Sequence, residues 1–241
     1  EYAFRICFTD SYQGTAMANF ALNNMSATKA VVLLDNASDY AKGLAANFTT
    51  TFESAGGTVV ATEAFVAGDT DFNAIITKIK GQDFDVIFLA GYYNEAGLII
   101  KQARNQGIDA PILGPDGFGS PELYDLAGAE ALNNIFYTSH FSSLDKDPTV
   151  AAFVEKYKAK HGEEPNQFAA LGYDLVMFIA DGIKRAGSTD TVAIKDALEA
   201  TTDFAGVTGS FSMDENHNPV KAVVIVGLQD GIATTSERVE Q

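Results

Sequence analysis

Cysteine occurs once, at Cys7, and tryptophan not at all. One thiol permits no internal disulfide and no cysteine-built zinc site. Such avoidance fits a reduced compartment, or a bacterial envelope protein that needs no staples. The three histidines, His140, His161 and His217, lie far apart in sequence and form no ligand motif. His140 follows a predicted strand, where a hinge or surface role outweighs catalysis. Basic residues are scarce: 16 Lys+Arg stand against 32 Asp+Glu, for a formal net charge of −16. A field of that sign repels phosphate backbones and argues against a nucleic-acid partner. Long apolar runs are missing too. The longest candidate, 168–183, is interrupted by Asp174 and Asp181 and falls short of the roughly 20 apolar residues of a membrane span. The chain opens Glu-Tyr-Ala-Phe-Arg with no signal peptide, so either one was removed or the natural start lies elsewhere.

What is present is an ordinary globular composition, 46% hydrophobic and 20% charged over 241 residues. From Thr28 to about Thr138, short runs of Val, Ile, Leu and Phe alternate with stretches of helical spacing. Strands are predicted at 30–34, 58–62, 86–89, 112–113 and 135–137. Between them, Leu44, Phe48 and Phe52 mark one helix, stopped by Gly56-Gly57. Phe72, Ile75, Ile76 and Ile79 mark a second, with 69–71 as cap residues. Ala96, Ile99, Ile100 and Ala103 mark a third, and 120–122 opens a short fourth. Continuous apolar strands separated by helices predict an α/β fold with a doubly wound parallel sheet. Beyond Ser142 the pattern changes to three helices, over 150–157, 168–183 and 192–200, then a hairpin and an apolar strand at 222–227. Those helices show no evident sheet of their own. The predicted organisation is an α/β ligand-binding lobe over 1–140, a helical part over 141–210, and a returning hairpin and strand over 211–241.

In an open parallel sheet, ligands bind beyond the carboxyl ends of the strands, where loops and helix N-termini converge. The segments after three predicted strands carry Tyr40, Tyr92 and Asp116. A carboxylate between two phenols suits a small cationic or zwitterionic ligand, through charge-assisted hydrogen bonds to an ammonium. Singly, each has a structural reading. Tyr40 can pack on the first turn of its helix, and Asp116, among glycines, can be a turn residue. Their coincidence at one edge favours a site. The glycine pattern after Asp116 fails as a dinucleotide fingerprint, because Glu122 takes the third glycine's place and two acids would oppose a pyrophosphate. Neither a P-loop nor a Gly-x-Ser-x-Gly elbow occurs, and nothing calls for a cofactor.

Taken together, several motifs carry a resemblance along essentially the whole chain: Tyr2-Ala3-Phe4-Arg5, Asp10 with Gln13-Gly14, and Ala37-Ser38-Asp39-Tyr40-Ala41-Lys42-Gly43. To these belong Gly68-Asp69-Thr70-Asp71-Phe72, Gly91-Tyr92-Tyr93-Asn94-Glu95, Lys101-Gln102-Ala103-Arg104, Gly114-Pro115-Asp116-Gly117 and Ala169-Ala170-Leu171-Gly172-Tyr173-Asp174. The chain resembles the substrate-binding proteins of branched-chain (hydrophobic) amino-acid ABC transporters, of the type I periplasmic-binding-protein fold. The resemblance implies a flavodoxin-like lobe and a second lobe, closing on one amino acid. It implies an extracytoplasmic, non-enzymatic receptor that hands its ligand to a membrane permease. By position, Tyr40 and Tyr92 line the cleft, Asp116 meets the ligand's α-ammonium, and Phe168 contacts the ligand's side chain from the other lobe. The family often has Glu where this chain has Asp116, a shorter reach that bears on the preferred ligand.

Such proteins begin with an N-terminal lobe of about 100 residues. No counterpart precedes Tyr2, so the chain reads as a truncated member whose second lobe is incomplete. A chain lacking the loops that grip the α-carboxylate is expected to bind free amino acids weakly. The stripe Phe168, Leu171, Leu175, Phe178, Ile179 and Ile183 then needs a cover, and the expectation is a homo-oligomer through 150–183. A sensing or regulatory module of the same fold is the alternative reading, distinguished by genomic context. A Rossmann-type enzyme is disfavoured by the absent glycine fingerprint.

Overall fold

The computed structural model describes residues 1–239. The chain divides into two units. Asp10–Ser139 and Ile225–Glu237 form a sheet unit, while Glu1–Thr9, His140–Val224 and, at the end of the described residues, Arg238 and Val239 form a helical unit. Residues 1–9 thus group with the helices rather than with the sheet, and so does most of the 211–224 hairpin region.

In the sheet unit, β1 (Lys29–Asp35), β2 (Thr58–Phe65), β3 (Val86–Ala90), β4 (Ile112–Gly114) and β5 (Ile135–Ser139) pair in parallel. The register sets Ala30 beside Val86, Ile87 beside Ile112, and Ile112 beside Ile135. Two further strands, β9 (Val223–Gln229) and β10 (Ile232–Val239), extend the sheet. Its order is β10-β9-β5-β4-β3-β1-β2. The parallel part is therefore the 2-1-3-4-5 arrangement of doubly wound folds, whose order reverses between β1 and β3. Asp230 and Gly231 join β9 to β10 with φ of 50° and 72°. That left-handed pair is what a two-residue hairpin turn requires.

Helix α2 (Asp39–Ser54) starts at the Ser38 cap, whose side chain accepts from the Ala41 amide, and buries Leu44, Phe48 and Phe52. Phe48 stacks on Phe88 of β3 at 4.2 Å. Helix α3 (Asn73–Lys80) starts after Phe72, and Asp71 of the predicted cap segment accepts from the Asn73 N–H at 3.0 Å. The preceding loop is also held by α4 (Tyr93–Asn105): Gly68 N–H donates to Glu95 Oε1 at 2.9 Å, and Phe72 N–H to Gln102 Oε1 at 2.8 Å. Helix α5 (Pro121–Ala127) follows Ser120.

Helix α1 (Asp10–Asn24) has no counterpart in the periodicity, because its buried face is made of Gln13, Gly14, Ala16, Met17, Ala18, Phe20 and Ala21 rather than an aliphatic stripe. Small residues serve close approach here. A Cβ on Gly14 would lie 2.7 Å from the Leu44 carbonyl and 2.9 Å from Asn47 Cβ, so α1 and α2 pack backbone to backbone at this glycine.

The helical unit holds α6 (Pro148–His161), α7 (Gln167–Ala186) and α8 (Thr191–Glu199). Asp147, Asn166 and Asp190 cap their N-termini, and left-handed Gly162 and Gly187 end α6 and α7. Contrary to the sequence reading, these helices do have a sheet: β6 (Phe204–Gly206), β7 (Gly209–Met213) and β8 (Pro219–Val220) pair antiparallel. Phe178, Leu198, Phe211 and Ile6 form a core there, with Leu171 and Phe204 packed against it. The α7 stripe is thereby split. Phe178 is buried, whereas Phe168, Leu175, Ile179 and Ile183 stay 38–44% exposed. Asp174, also on α7, is buried and accepts from the amides of Val207 and Thr208, both at 2.8 Å, and from the Thr208 hydroxyl at 2.7 Å. His140 lies in the interior rather than at the surface, its ring 3.6 Å from that of Phe8 and its amide bonded to Gln167 Oε1. No helix among the described residues is long and apolar enough to cross a membrane.

Candidate binding site of the sheet unit

The reversal of strand order between β1 and β3 splays the following segments apart and opens a crevice at their carboxyl ends. Tyr40 sits in the first turn of α2, after β1. Tyr92 stands at the N-terminal boundary of α4, after β3. Asp116 starts a 3-10 turn, Asp116–Phe118, after β4. The structure brings these three together. The Tyr40 hydroxyl donates to Asp116 Oδ1, and the Gly117 N–H donates back to Tyr40 Oη at 3.2 Å. The rings of Tyr40 and Tyr92 stack with centroids 4.9 Å apart. Tyr92 remains 45% exposed, so one phenol is built in and the other forms a wall.

Both hydroxyls stay neutral donors. Burial pushes Tyr40 well above the usual tyrosine range, and the Asp116 charge with its hydrogen bond adds to the shift. Burial also raises Tyr92, followed by the charges of Asp116 and Asp10. A carboxylate that already accepts from a phenol is oriented before any ligand arrives, which reduces the ordering cost of binding.

Two positioning residues escaped the sequence reading. Gln13 of α1 is buried, and its Oε1 accepts from the Asp116 N–H at 3.0 Å and from the Thr138 hydroxyl at 2.7 Å. It fixes the backbone from which the carboxylate projects. The signal available was Gln13-Gly14 itself, a polar side chain beside a glycine that admits a neighbouring helix. Gly117 is the other. A Cβ there would meet the Gly91 carbonyl at 2.8 Å and Tyr92 Cδ1 at 3.0 Å, so only glycine lets the turn close on both tyrosines.

Phe168 belongs to the helical unit, in the first turn of α7, and is 44% exposed. Among the described residues no group of three or more His, Cys, Asp or Glu side chains is placed to hold a metal ion.

A family model described as periplasmic binding protein matches residues 1–232. The leucine-, isoleucine-, valine-, threonine- and alanine-binding protein of Pseudomonas aeruginosa is 34% identical over 212 residues, 88% of this chain and 56% of that protein. A Leu/Ile/Val-binding protein homolog of Brucella melitensis is 32% identical over 89% of this chain and 58% of its own length. Among solved structures, the branched-chain amino acid transporter substrate binding protein LivJ of Streptococcus pneumoniae, in complex with isoleucine, superposes with a TM-score of 0.90. It is 46% identical, over 96% of this chain and 66% of that one. The leucine binding protein LivK of Thermotoga maritima gives a TM-score of 0.89 at 38% identity, over 98% and 66%. The chain spans a little over half the length of these curated relatives.

Proposed function

Since the chain belongs to the periplasmic binding protein family, we propose that it serves an extracytoplasmic receptor that binds a small hydrophobic amino acid, branched-chain above all, and delivers it to an ABC permease. The observation that carries the reading is Asp116, oriented by Tyr40 and Gln13 and walled by Tyr92 at the carboxyl edge of the sheet. That carboxylate accepts the α-ammonium, while the phenols exclude water beside it. The relatives named above are binding proteins, which favours a receptor over the sensing module and over an enzyme. Assignment of Phe168 to the ligand's side chain rests on the resemblance, and Phe168→Ala tests it separately. Association of copies through 150–183 is a distinct part of the reading, supported by the apolar residues that α7 leaves exposed.

The test is calorimetry on the full-length gene product with leucine, isoleucine and valine, each set against its N-acetyl derivative. The free amino acids are expected to bind and the acylated forms, which lack the ammonium, to fail. Equal affinity for leucine and N-acetyl-leucine overturns the role of Asp116.

A further inference from the structure

The helical unit contains a second concavity, a groove of about 700 Å³ lined by α6, α7 and β6. Phe153, Tyr157, Tyr173, Met177 and Phe204 give it an apolar lining, with Tyr173 and Met177 still 46% and 45% exposed. Lys156, Lys160 and Lys184 also line it. Its two carboxylates are engaged elsewhere. Asp174 is taken up by Val207 and Thr208, and Asp181 pairs with Arg185 at 2.7 Å. Neighbouring Lys158 pairs with Glu164 at 2.8 Å, but no ion pair among the described residues involves Lys156, Lys160 or Lys184.

Three ammonium groups without an ion pair around one groove form a basic cluster, outnumbering the two carboxylates that line it, on a chain whose net charge is −16. Lys156 and Lys160 are one turn apart on α6, and like charges at that spacing repel. An anion seated between them relieves the repulsion. A volume of this size suits a small molecule, since ligand pockets run from about 300 to 1,000 Å³ with apolar walls and a few polar groups.

We infer that this groove is a binding site for a small amphiphilic organic anion, its aromatic or aliphatic body against Tyr173 and Met177 and its carboxylate or sulfonate among the three lysines. The site lies wholly within the helical unit, so it is independent of the amino-acid reading.

The probe is 8-anilinonaphthalene-1-sulfonate, whose emission is read against a chain that has no tryptophan. Saturable binding that weakens with added salt is expected. The triple variant K156E/K160E/K184E should lose about tenfold or more in affinity, the combined effect of three exposed charge contacts. The neutral triple K156Q/K160Q/K184Q should lose less and serves if charge reversal perturbs folding. Tyr173→Ala should weaken binding, whereas Val192→Ser, exposed on α8 and outside the lining, should leave it unchanged. An affinity within about twofold of wild type in both lysine triples overturns the inference, as does loss of the signal in Val192→Ser. Equally tight binding of the uncharged N-phenyl-1-naphthylamine overturns the anion class.

Discussion

The sheet unit and the helical unit bury their apolar side chains to different degrees. All five residues of β3 are buried, so the sheet is covered on both faces at its centre, and Phe48, Phe52, Phe88, Ile76 and Ile79 are sealed in. The helical unit sets a twenty-residue helix against strands of three, five and two residues. A sheet that small covers one side of α7. It takes Phe178 and leaves Leu175, Val176, Ile179 and Ile183 in solvent. The lesson is that an apolar residue in a helical stripe becomes core only where a layer wide enough exists to receive it.

Phe88→Ala tests the first half of that contrast with the largest expected effect. Phe88 is fully buried and stacks on Phe48, so its removal leaves a cavity in the sheet unit and should cost about 3–5 kcal/mol by denaturant unfolding. A loss under about 1 kcal/mol would mean that this layer is no better packed than the exposed face of α7.

Asp116→Ala comes next and separates site from scaffold. A charge-assisted contact contributes about 1.5–3 kcal/mol, and an ammonium left unpaired in a closed cleft costs more, so leucine affinity should fall at least tenfold. The melting temperature should fall only modestly, because Asp116 is half-buried outside the apolar core and its loss deprives the Tyr40 hydroxyl of that acceptor. Unchanged affinity in calorimetry would remove Asp116 from the site.

The parts of the fold that could be read from the residues are those in which one physical signal dominates. Five apolar runs bounded by polar residues marked the parallel strands, and Asp190 and Gly187 marked helix ends through cap chemistry. Helix α1 was not legible, since Gly14 and its alanines serve close packing without adding hydrophobicity. The small sheet was not legible either: β6 has three residues and β8 two, too few to show alternation. At the candidate site, Tyr40, Tyr92 and Asp116 could be found from their positions after strands. Gln13-Gly14 stood out only as a polar residue beside a glycine, and the role of Gln13 was not legible from that, because it depends on a hydrogen bond to a residue 103 positions away.

The tyrosines should give a smaller change than the carboxylate. Tyr92→Ala removes wall area and Tyr40→Phe removes one hydrogen bond to Asp116, each worth about 1 kcal/mol of leucine binding. Tyr40 also supplies a pH signature. Its folded pKa lies above the value of about 10 in an unfolded chain, so its contribution to stability is complete below that pH and is lost as pH rises toward the folded value. Tyr137, raised by burial, behaves in the same direction. In an ultraviolet titration, both phenols should ionise after the exposed tyrosines, and Tyr40→Phe should delete part of the late phase. A titration in which all nine tyrosines ionise together would contradict the burial of Tyr40 against Asp116.

Ile179→Ser should have the smallest effect on stability and tests the second half of the contrast. Ile179 is 41% exposed and lies outside the core that Phe178 of α7 forms with Phe211 of the small sheet. Replacing it forfeits little buried area, and serine is only slightly worse than isoleucine in a helix, so stability should change by less than about 0.5 kcal/mol. A loss above about 1 kcal/mol would show instead that this face is packed in the folded chain. The same variant reads association. If copies pair through 150–183, wild-type mass in light scattering should exceed that of one chain and rise with salt, which screens the −16 charge. Ile179→Ser should then lower that mass, since an exposed apolar face that excludes water between copies is weakened by a hydroxyl at its centre. A monomeric wild type at every salt concentration ends the association proposal while leaving the amino-acid site untouched, because Tyr40, Tyr92 and Asp116 all belong to the sheet unit.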